Sequence, residues 1–265
     1  MRPARSGVVC LWSVVVCNVV ACNGKDKSEE ATRSQTELTQ ALLSDFESEE
    51  LGGIVGELLP YAEEAAAEEA QYEVDAPALS ALSDMTFSGA VTQEGLIGVS
   101  VARVVGGTLD EYVAPVPEVD QAWGDPDHYV SWERSIVEGD ADAFTGGGGL
   151  LRTDNRSIRI QSLWEFPYNI RKDYRWVDAD GDGADESVAF RFWLYEEGES
   201  DDGVVRAIGG FQAEIWTEVD GGVLWFCANW AQVESPISDE EFLRNEAADS
   251  IISFMEATEA YSTGG

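Results

Sequence analysis

The chain has 265 residues, of which 51 are Asp or Glu and 16 are Lys or Arg, and its formal net charge at pH 7 is −35. A field of this sign repels phosphate backbones and anionic lipid head groups, so nucleic-acid binding is excluded as a class of function. The same charge favours solubility and attracts divalent cations.

The first 22 residues predict export. Arg2 and Arg5 precede an apolar run from Val8 to Val20, which is too short to span a bilayer but suits the core of a signal peptide. The run ends in Val19-Val20-Ala21-Cys22, which resembles the lipobox of bacterial lipoproteins. That resemblance implies a signal peptide over residues 1–21 and a membrane anchor made by lipid on Cys22. An ordinary signal peptide or a short buried helix is the alternative.

Cysteine usage fits an exported chain that does not depend on disulfides. Cys10 and Cys17 would leave with the signal peptide and Cys22 would carry lipid, so Cys227 remains as the single thiol of the mature domain. It cannot form an intramolecular disulfide, and its apolar neighbours predict a buried, inert thiol. Asn23 follows Cys22 where an aspartate would indicate inner-membrane retention, so we expect the outer membrane, facing the periplasm or the surface.

Residues 22–75 are predicted to form an acidic tether followed by a helical segment. The first part is too poor in apolar residues to pack. Apolar side chains then recur at helical spacing from Leu38 to Phe46, Gly52-Gly53 predicts a break, and residues 61–72 favour a second helix. The sequence leaves open whether these helices pack on the domain that follows.

Residues 76–265 are predicted to form one globular domain. Residues 109–145 are expected to be irregular, because prolines interrupt them. The alternation of apolar side chains over 188–194 predicts a sheet with one packed face. The predicted fold class is α+β, an antiparallel β-meander or open barrel with N-terminal helices and a packed C-terminal helix. The predicted strands are 96–105, 157–164, 170–177, 187–195, 204–219 and 222–233.

The C-terminal helix is the clearest single element. Ser238 and Glu241 form the two ends of a capping box directly after Pro236. The apolar stripe behind them, which reaches to about Thr258, predicts packing on the sheet more readily than binding of a cofactor. The stripe consists of Leu243, Ala247, Ile251, Phe254 and Met255.

The most specific chemical signal is an acidic loop at residues 178–186. Calcium takes six to eight oxygen ligands with tolerant geometry, which one short loop of carboxylates and carbonyls can supply. A glycine at position 183 permits the sharp reversal such a loop needs. The predicted ligands are the side chains of Asp178, Asp180, Asp182 and Glu186 and the carbonyl of Ala184.

The loop resembles the EF-hand loop but departs from it at Ala189, where the bidentate glutamate would stand. Its flanks are rich in aromatic and β-branched residues and predict strands. The loop is therefore similar to the calcium hairpins of FG-GAP or VCBS-type repeats. The missing ligand predicts weak binding, with a dissociation constant of about 10⁻⁴ to 10⁻³ M. A plain Asp- and Gly-rich turn is the alternative.

Other candidate sites are less specific. His128 follows Asp125 and Asp127 in a proline turn, where a metal or catalytic role and a plain surface position are the alternatives. Gly146–Gly149 lacks the Lys-Ser/Thr of a phosphate-binding loop. Basic residues near several tryptophans predict either a surface for an acidic glycan or protein partner or cross-strand pairing with carboxylates. They are Arg152, Arg156, Arg159, Arg171, Lys172, Arg175 and Arg191.

The sequence contains no motif that specifies a reaction. The leading hypothesis is a non-catalytic cell-envelope lipoprotein whose β-domain is stabilised by calcium and serves a binding or structural role. One alternative is an envelope glycan hydrolase with a carboxylate pair, for which Glu165 and Glu214 would be an arbitrary choice. The other is a small-ligand carrier, which would contain an empty apolar lumen.

Overall fold

An antiparallel β-sheet forms the centre of the computed structural model, which describes residues 33–68, 71–124, 126–161, 164–237 and 239–264. Within these residues the sheet has nine strands in the order β1-β2-β9-β8-β6-β5-β4-β3, with β7 beside β8, and its edges are open. The strands are β1 Gln71–Glu73, β2 Ile97–Val105, β3 Tyr129–Gly139, β4 Leu150–Gln161, β5 Trp164–Val177, β6 Ser187–Glu196, β7 Gly198–Glu199, β8 Arg206–Val219 and β9 Gly222–Glu234.

Helices cover both faces of the sheet. Two N-terminal helices bury one face, with Leu38 and Leu58 packed against Phe211 and Phe226. Three later helices lie against the other face, where Tyr112, Phe144 and Met255 meet Trp216 and Trp225. The helices are α1 Gln35–Ser44, α2 Leu51–Glu68, α3 Leu109–Val113, α4 Ala141–Thr145 and α5 Glu240–Ser262. This arrangement confirms the predicted α+β class with N-terminal helices and a packed C-terminal helix.

None of the helices in the described residues combines the length and apolarity needed to cross a bilayer. The predicted signal peptide and Cys22 lie outside the described residues.

The prediction of one packed face was wrong. Every residue of β6 from Ser187 to Leu194 is buried. Phe190 and Phe192 face α5, whereas Ala189 and Trp193 face α1 and α2. The alternation predicts only that successive side chains point to opposite faces of the sheet, and it does not show that one of those faces meets solvent.

Residues 109–145 are also more regular than predicted. They contain α3, the edge strand β3 and α4. The sequence of β3 is polar because most of its residues are exposed, and Tyr129, Trp132 and Arg134 are the buried ones. Because β3 is an edge strand with a single packed face, it has too few apolar residues to give a clear period-two signal.

The predicted strand 157–164 is not a single strand, because β4 ends at Gln161 and β5 begins at Trp164.

The helix boundaries differ in two places. Gly52-Gly53 does not interrupt the helical structure, because α2 begins at Leu51 and includes both glycines. The C-terminal helix is capped by Asp239, whose side chain accepts a 2.9 Å hydrogen bond from the backbone N–H of Phe242. Ser238, the predicted cap, lies outside the described residues, and the helix extends to Ser262, past the predicted end near Thr258.

Glycines in α2 permit an unusually close contact with the acidic loop. A Cβ atom at Gly52 would lie 2.2 Å from the carbonyl oxygen of Asp178, and one at Gly56 would lie 2.2 Å from that of Ala179. The helix backbone therefore rests on the start of the loop that joins β5 to β6. The contact links the N-terminal helices to the sheet at this hairpin.

Replacing Gly56 by alanine is expected to lower the free energy of unfolding by about 1–3 kcal/mol, because the added methyl group forces the helix and loop apart. Gly53→Ala is the matched control, since no atom lies within 4 Å of its added Cβ. That variant should be neutral or more stable by about 0.5–1 kcal/mol. Urea unfolding of both variants measures the difference, and equal effects would contradict the proposed contact.

Candidate functional site

A cavity of about 170 Å³ lies between α5 and the sheet face that α5 covers. Its walls come from strands β2 to β6, β8 and β9 and from one side of α5. The lining is mainly apolar and aromatic, which is the usual composition of a small-molecule site. The main apolar residues are Trp132, Phe166, Ile170, Phe192, Leu194 and Phe254.

The helix stripe predicted for core packing has two roles. Met255 packs in the core between α5 and the sheet, as predicted. Leu243, Ala247, Ile251 and Phe254 line the cavity. The helix thus contributes both to the core and to the wall of the candidate site.

Strand register brings polar side chains into this apolar space. Lys172 on β5 is opposite Phe192 on β6, which is opposite Gln212 on β8. Two residues further along the strands, Phe190 is opposite Glu214. Because residues two apart share a face, Lys172 and Glu214 both lie on the side of the sheet that α5 covers.

Lys172 is a buried amine in an aromatic environment, with 5% of its surface exposed. Its Nζ lies 5.0 Å from the ring centroid of Trp132, 5.6 Å from that of Phe192 and 5.5 Å from that of Phe254. Within the described part of the chain, Nζ has neither a hydrogen-bond acceptor nor an ion-pair partner. Burial, aided by the nearby Arg134 charge, lowers the pKa of the Lys172 ammonium, while Glu214 opposes this shift.

Glu214 is the buried carboxyl group of the same cavity, with 2% of its surface exposed. Its Oε2 accepts a hydrogen bond of 2.5 Å from Nε1 of Trp225. Burial raises the pKa of Glu214, and the Lys172 charge and the Trp225 hydrogen bond oppose that rise. The amine and the carboxyl group therefore influence each other without forming a direct ion pair.

Arg134 is a buried residue that shares a hydrogen-bond network with Trp132, which lines the cavity. Its Nε donates to Oδ1 of Asn155 at 2.7 Å, and a terminal nitrogen donates to the hydroxyl of Tyr174 at 3.2 Å. Trp132 donates to the same Asn155 oxygen at 3.0 Å. This network fixes the Trp132 ring that faces Lys172 and adds positive charge near the amine.

Arg159 is a second cationic side chain in the lining of the cavity. The guanidinium of Arg159 lies 5.4 Å from the ring centroids of Tyr129 and Tyr168 and donates to the hydroxyls of Tyr129 and Ser250. Ser250 belongs to α5, so this contact joins the helix to β4. The cavity lining thus contains two cationic side chains, Lys172 and Arg159, and two acidic ones, Glu214 and Glu246.

The predicted metal ligands also come together. One ligand oxygen each from Asp178, Asp180, Asp182 and Glu186 lies within 4.8 Å of the others, so these four residues could hold a metal ion. Backbone N–H groups of the loop donate to all four carboxylates, which holds the loop in its turn. Ala184, whose carbonyl is the fifth predicted ligand, donates its own N–H to Asp182 at 2.9 Å.

The basic residues of the predicted positive surface mostly bind within the molecule. Arg152 pairs with Asp173, Glu138 and Glu47, and Arg171 pairs with Asp154. The pairs with Asp173, Glu138 and Asp154 join residues that are opposite each other on neighbouring strands, as the cross-strand alternative predicts, whereas Glu47 lies between α1 and α2. Arg175 donates to two carbonyls after α1, and the buried Arg191 pairs with Asp173 and Asp84, while Lys172 lies in the cavity.

The remaining candidates stay outside the cavity. His128 lies in the turn before β3, and its carbonyl accepts from the N–H of Ile160. Glu165 is exposed on β5 and does not line the cavity with Glu214. The thiol of Cys227 is buried in the core, where burial raises its pKa, which agrees with an inert role.

Sequence reasoning missed Lys172 as a cavity residue. A signal was present, since strand alternation places Lys172 between Ile170 and Tyr174 on one face. A lysine in the middle of an apolar face is a functional-site candidate, whereas counting it among surface cations hides it.

No protein-family model and no curated protein matches this chain. Among solved structures, the STAR-related lipid transfer protein fragment from Xanthomonas axonopodis aligns at 12% identity and a TM-score of 0.42 over 67% of this chain and 98% of that chain. Human STARD10 aligns at 10% identity and 0.37 over 78% and 80%. The Zhui aromatase/cyclase from Streptomyces sp. R1128 aligns at 11% and 0.37 over 63% and 94%. TM-scores this low say nothing about which ligand the chain binds.

The raised pKa of Glu214 predicts a pH-dependent loss of stability. Between the ordinary glutamate pKa of about 4.3 and the raised value, the folded chain holds a proton that the unfolded chain releases. The free energy of unfolding should therefore fall as pH rises through this window, relative to Glu214→Gln, which keeps an acceptor for Trp225.

Urea unfolding of wild type and Glu214→Gln from pH 5 to pH 8 measures this effect, which amounts to about 1.4 kcal/mol per unit of pKa shift. Glu165→Gln removes an exposed carboxylate and should follow the wild-type curve. Parallel curves for wild type and Glu214→Gln would contradict a buried, protonated Glu214.

Proposed function

We propose that this protein binds a small, largely apolar molecule in the cavity beneath α5. One observation carries the proposal: the cavity is apolar except for a few polar groups, and its buried amine at Lys172 has no acceptor among the described residues. A buried polar group without a partner costs about 1–3 kcal/mol of stability. A ligand oxygen placed beside Nζ would offset that cost.

The cavity defines the chemical class of the ligand. An apolar cavity of about 150 Å³ is large enough for a benzene ring, so the space here suits an aromatic or short aliphatic body. Lys172 supplies a donor at the wall, which favours an oxygen acceptor on that body. Among the alternatives weighed from sequence, the small-ligand carrier is the one that this geometry supports.

Two naphthalene derivatives test the ligand class. We expect 1-naphthoate to bind at least about tenfold more tightly than naphthalene, since a hydrogen bond to a charged group contributes about 1.5–3 kcal/mol. Lys172→Met should remove this preference while naphthalene binding persists. Quenching of the cavity tryptophans and isothermal titration calorimetry measure both affinities.

A second pair of variants locates the binding. Ala247→Phe fills the cavity from α5 and should abolish binding of both probes, whereas Ala260→Phe places the same ring on the exposed side of the helix. Binding that survives Ala247→Phe, or that is lost in both variants, would contradict the assignment to this cavity.

We further propose that the loop at residues 178–186 binds Ca²⁺, with Asp178, Asp180, Asp182, the Ala184 carbonyl and Glu186 as ligands. The four clustered carboxylates and the hard-oxygen donor set support calcium over softer metals. Because an ion that binds only the folded chain stabilises it, calcium at ten times its dissociation constant would add about 1.4 kcal/mol.

Millimolar calcium should therefore raise the melting temperature relative to a chelator, and Asp180→Asn should remove the increase. Asp185→Asn lies in the same loop but outside the four-residue cluster, so it should retain the increase. Calorimetry in both conditions measures the shifts. Equal shifts in the two variants would show a general charge effect instead of a site.

We also propose that lipid on Cys22 anchors the domain in the cell envelope. The support is the Val19-Val20-Ala21-Cys22 sequence after an apolar run. Metabolic labelling with a radioactive fatty acid should mark the wild-type chain and not Cys22→Ser. Equal labelling of both chains would refute the anchor.

A further inference from the structure

The cavity contains one feature that binding of an anion leaves unexplained. A carboxyl group, Glu214, is buried in the same space as the amine of Lys172 but does not form an ion pair with it. For a simple anion site, a buried carboxyl group would weaken binding whenever it ionises. An amine and a carboxyl group in one mainly apolar cavity are instead the two groups that imine formation uses, as nucleophile and as proton donor.

We propose that Nζ of Lys172 forms a reversible imine with the carbonyl carbon of an aldehyde or ketone ligand, with Glu214 as the group that transfers protons. This inference rests on the proposed function, since the carbonyl compound must occupy the cavity. It narrows the ligand class from oxygen-bearing apolar molecules to apolar carbonyl compounds.

The bonds balance without any further reactant. The lone pair of the neutral amine forms a C–N bond to the carbonyl carbon, and the carbonyl π electrons move to oxygen, which takes a proton from the Glu214 carboxylic acid. The nitrogen then loses a proton to the Glu214 carboxylate. Glu214 then gives this proton to the hydroxyl group, which leaves as water while the C=N bond forms. At this point the products are a protonated iminium, the Glu214 carboxylate and one water molecule. Transfer of the iminium proton to Glu214 gives the neutral imine and restores the carboxylic acid.

Three properties of the site favour this reaction. Burial lowers the pKa of Lys172 and raises the pKa of Glu214, and both shifts favour the neutral nucleophile and the carboxylic acid that the reaction needs. The apolar walls limit the water that reverses the reaction. The iminium form would occupy the place of the ammonium, beside the rings of Trp132, Phe192 and Phe254, which stabilise a cation.

The chain offers an internal control for specificity. Its lysines are Lys25, Lys27 and Lys172, and the first two lie near the N-terminus. An aldehyde that merely reacts with accessible amines would mark those residues and the α-amino group. An aldehyde that reacts in the cavity would mark Lys172, although that residue is buried.

The test uses the full chain, 1-naphthaldehyde and cyanoborohydride, followed by peptide mass spectrometry. We expect one reduced adduct, located on Lys172, at aldehyde concentrations that leave Lys25 and Lys27 unmodified. Excess 1-naphthoate should prevent it by occupying the cavity. Site mapping on the wild-type chain requires no variant, so the result does not depend on how a substitution folds.

Variants then assign the proton transfer. Glu214→Gln should slow trapping at saturating aldehyde by about 100-fold or more, the usual contribution of a positioned acid–base group. Glu165→Gln, on the exposed side of β5, should leave the rate unchanged. Equal rates in wild type and Glu214→Gln would overturn the role of Glu214.

Failure of this inference is separable from failure of the proposed function. If 1-naphthoate binds in the cavity but the aldehyde leaves Lys172 unmodified, the imine is refuted and the binding function stands. If neither probe binds, the binding function itself is refuted. Adducts confined to Lys25, Lys27 or the α-amino group also overturn the imine.

Discussion

The packing of α5 across one face of the sheet is the contact on which the site depends. The central strands are buried on both faces, and α1 with α2 closes the opposite face through tightly packed leucine and phenylalanine side chains. Met255 and Ala248 of α5 are buried in the core against the sheet, whereas Ala247 and Ile251 pack at the edge of that core and also line the cavity. The same helix therefore closes the core and leaves a space within it.

That space contains groups that weaken the fold. Buried ionisable side chains without a direct ion pair reduce stability, and a wholly apolar face would pack better. The aromatic rings around Lys172 and the Trp225 hydrogen bond to Glu214 offset part of the cost. A site of this kind persists where the groups serve binding or chemistry, which is the basis of the proposed function.

The acidic loop and α2 occupy the end of the hairpin that carries the amine. The loop connects β5, with Lys172, to β6, with Phe192, and its first two carbonyls touch the glycines of α2. Calcium in this loop would act on the stability of the hairpin and on its contact with the helix. The loop would then serve the fold, while the cavity would serve the proposed binding.

Much of the fold could be predicted from local patterns, but the site could not. The strand alternation around Phe190 and the stripe on α5 reflect side chains of one element and are visible in the sequence. The edge strand β3 escaped because its partners supply its stability and its own residues are polar. Lys172 and Glu214 are 42 positions apart in sequence, and the cavity between them depends on the placement of α5, which no local pattern encodes.

A crystal structure of the protein with bound 1-naphthoate would test the central claim most directly. The account predicts the naphthalene ring between α5 and the sheet, with its carboxylate within hydrogen-bond distance of Nζ of Lys172. A ring on the outer surface, or an empty cavity at saturating ligand, would contradict it.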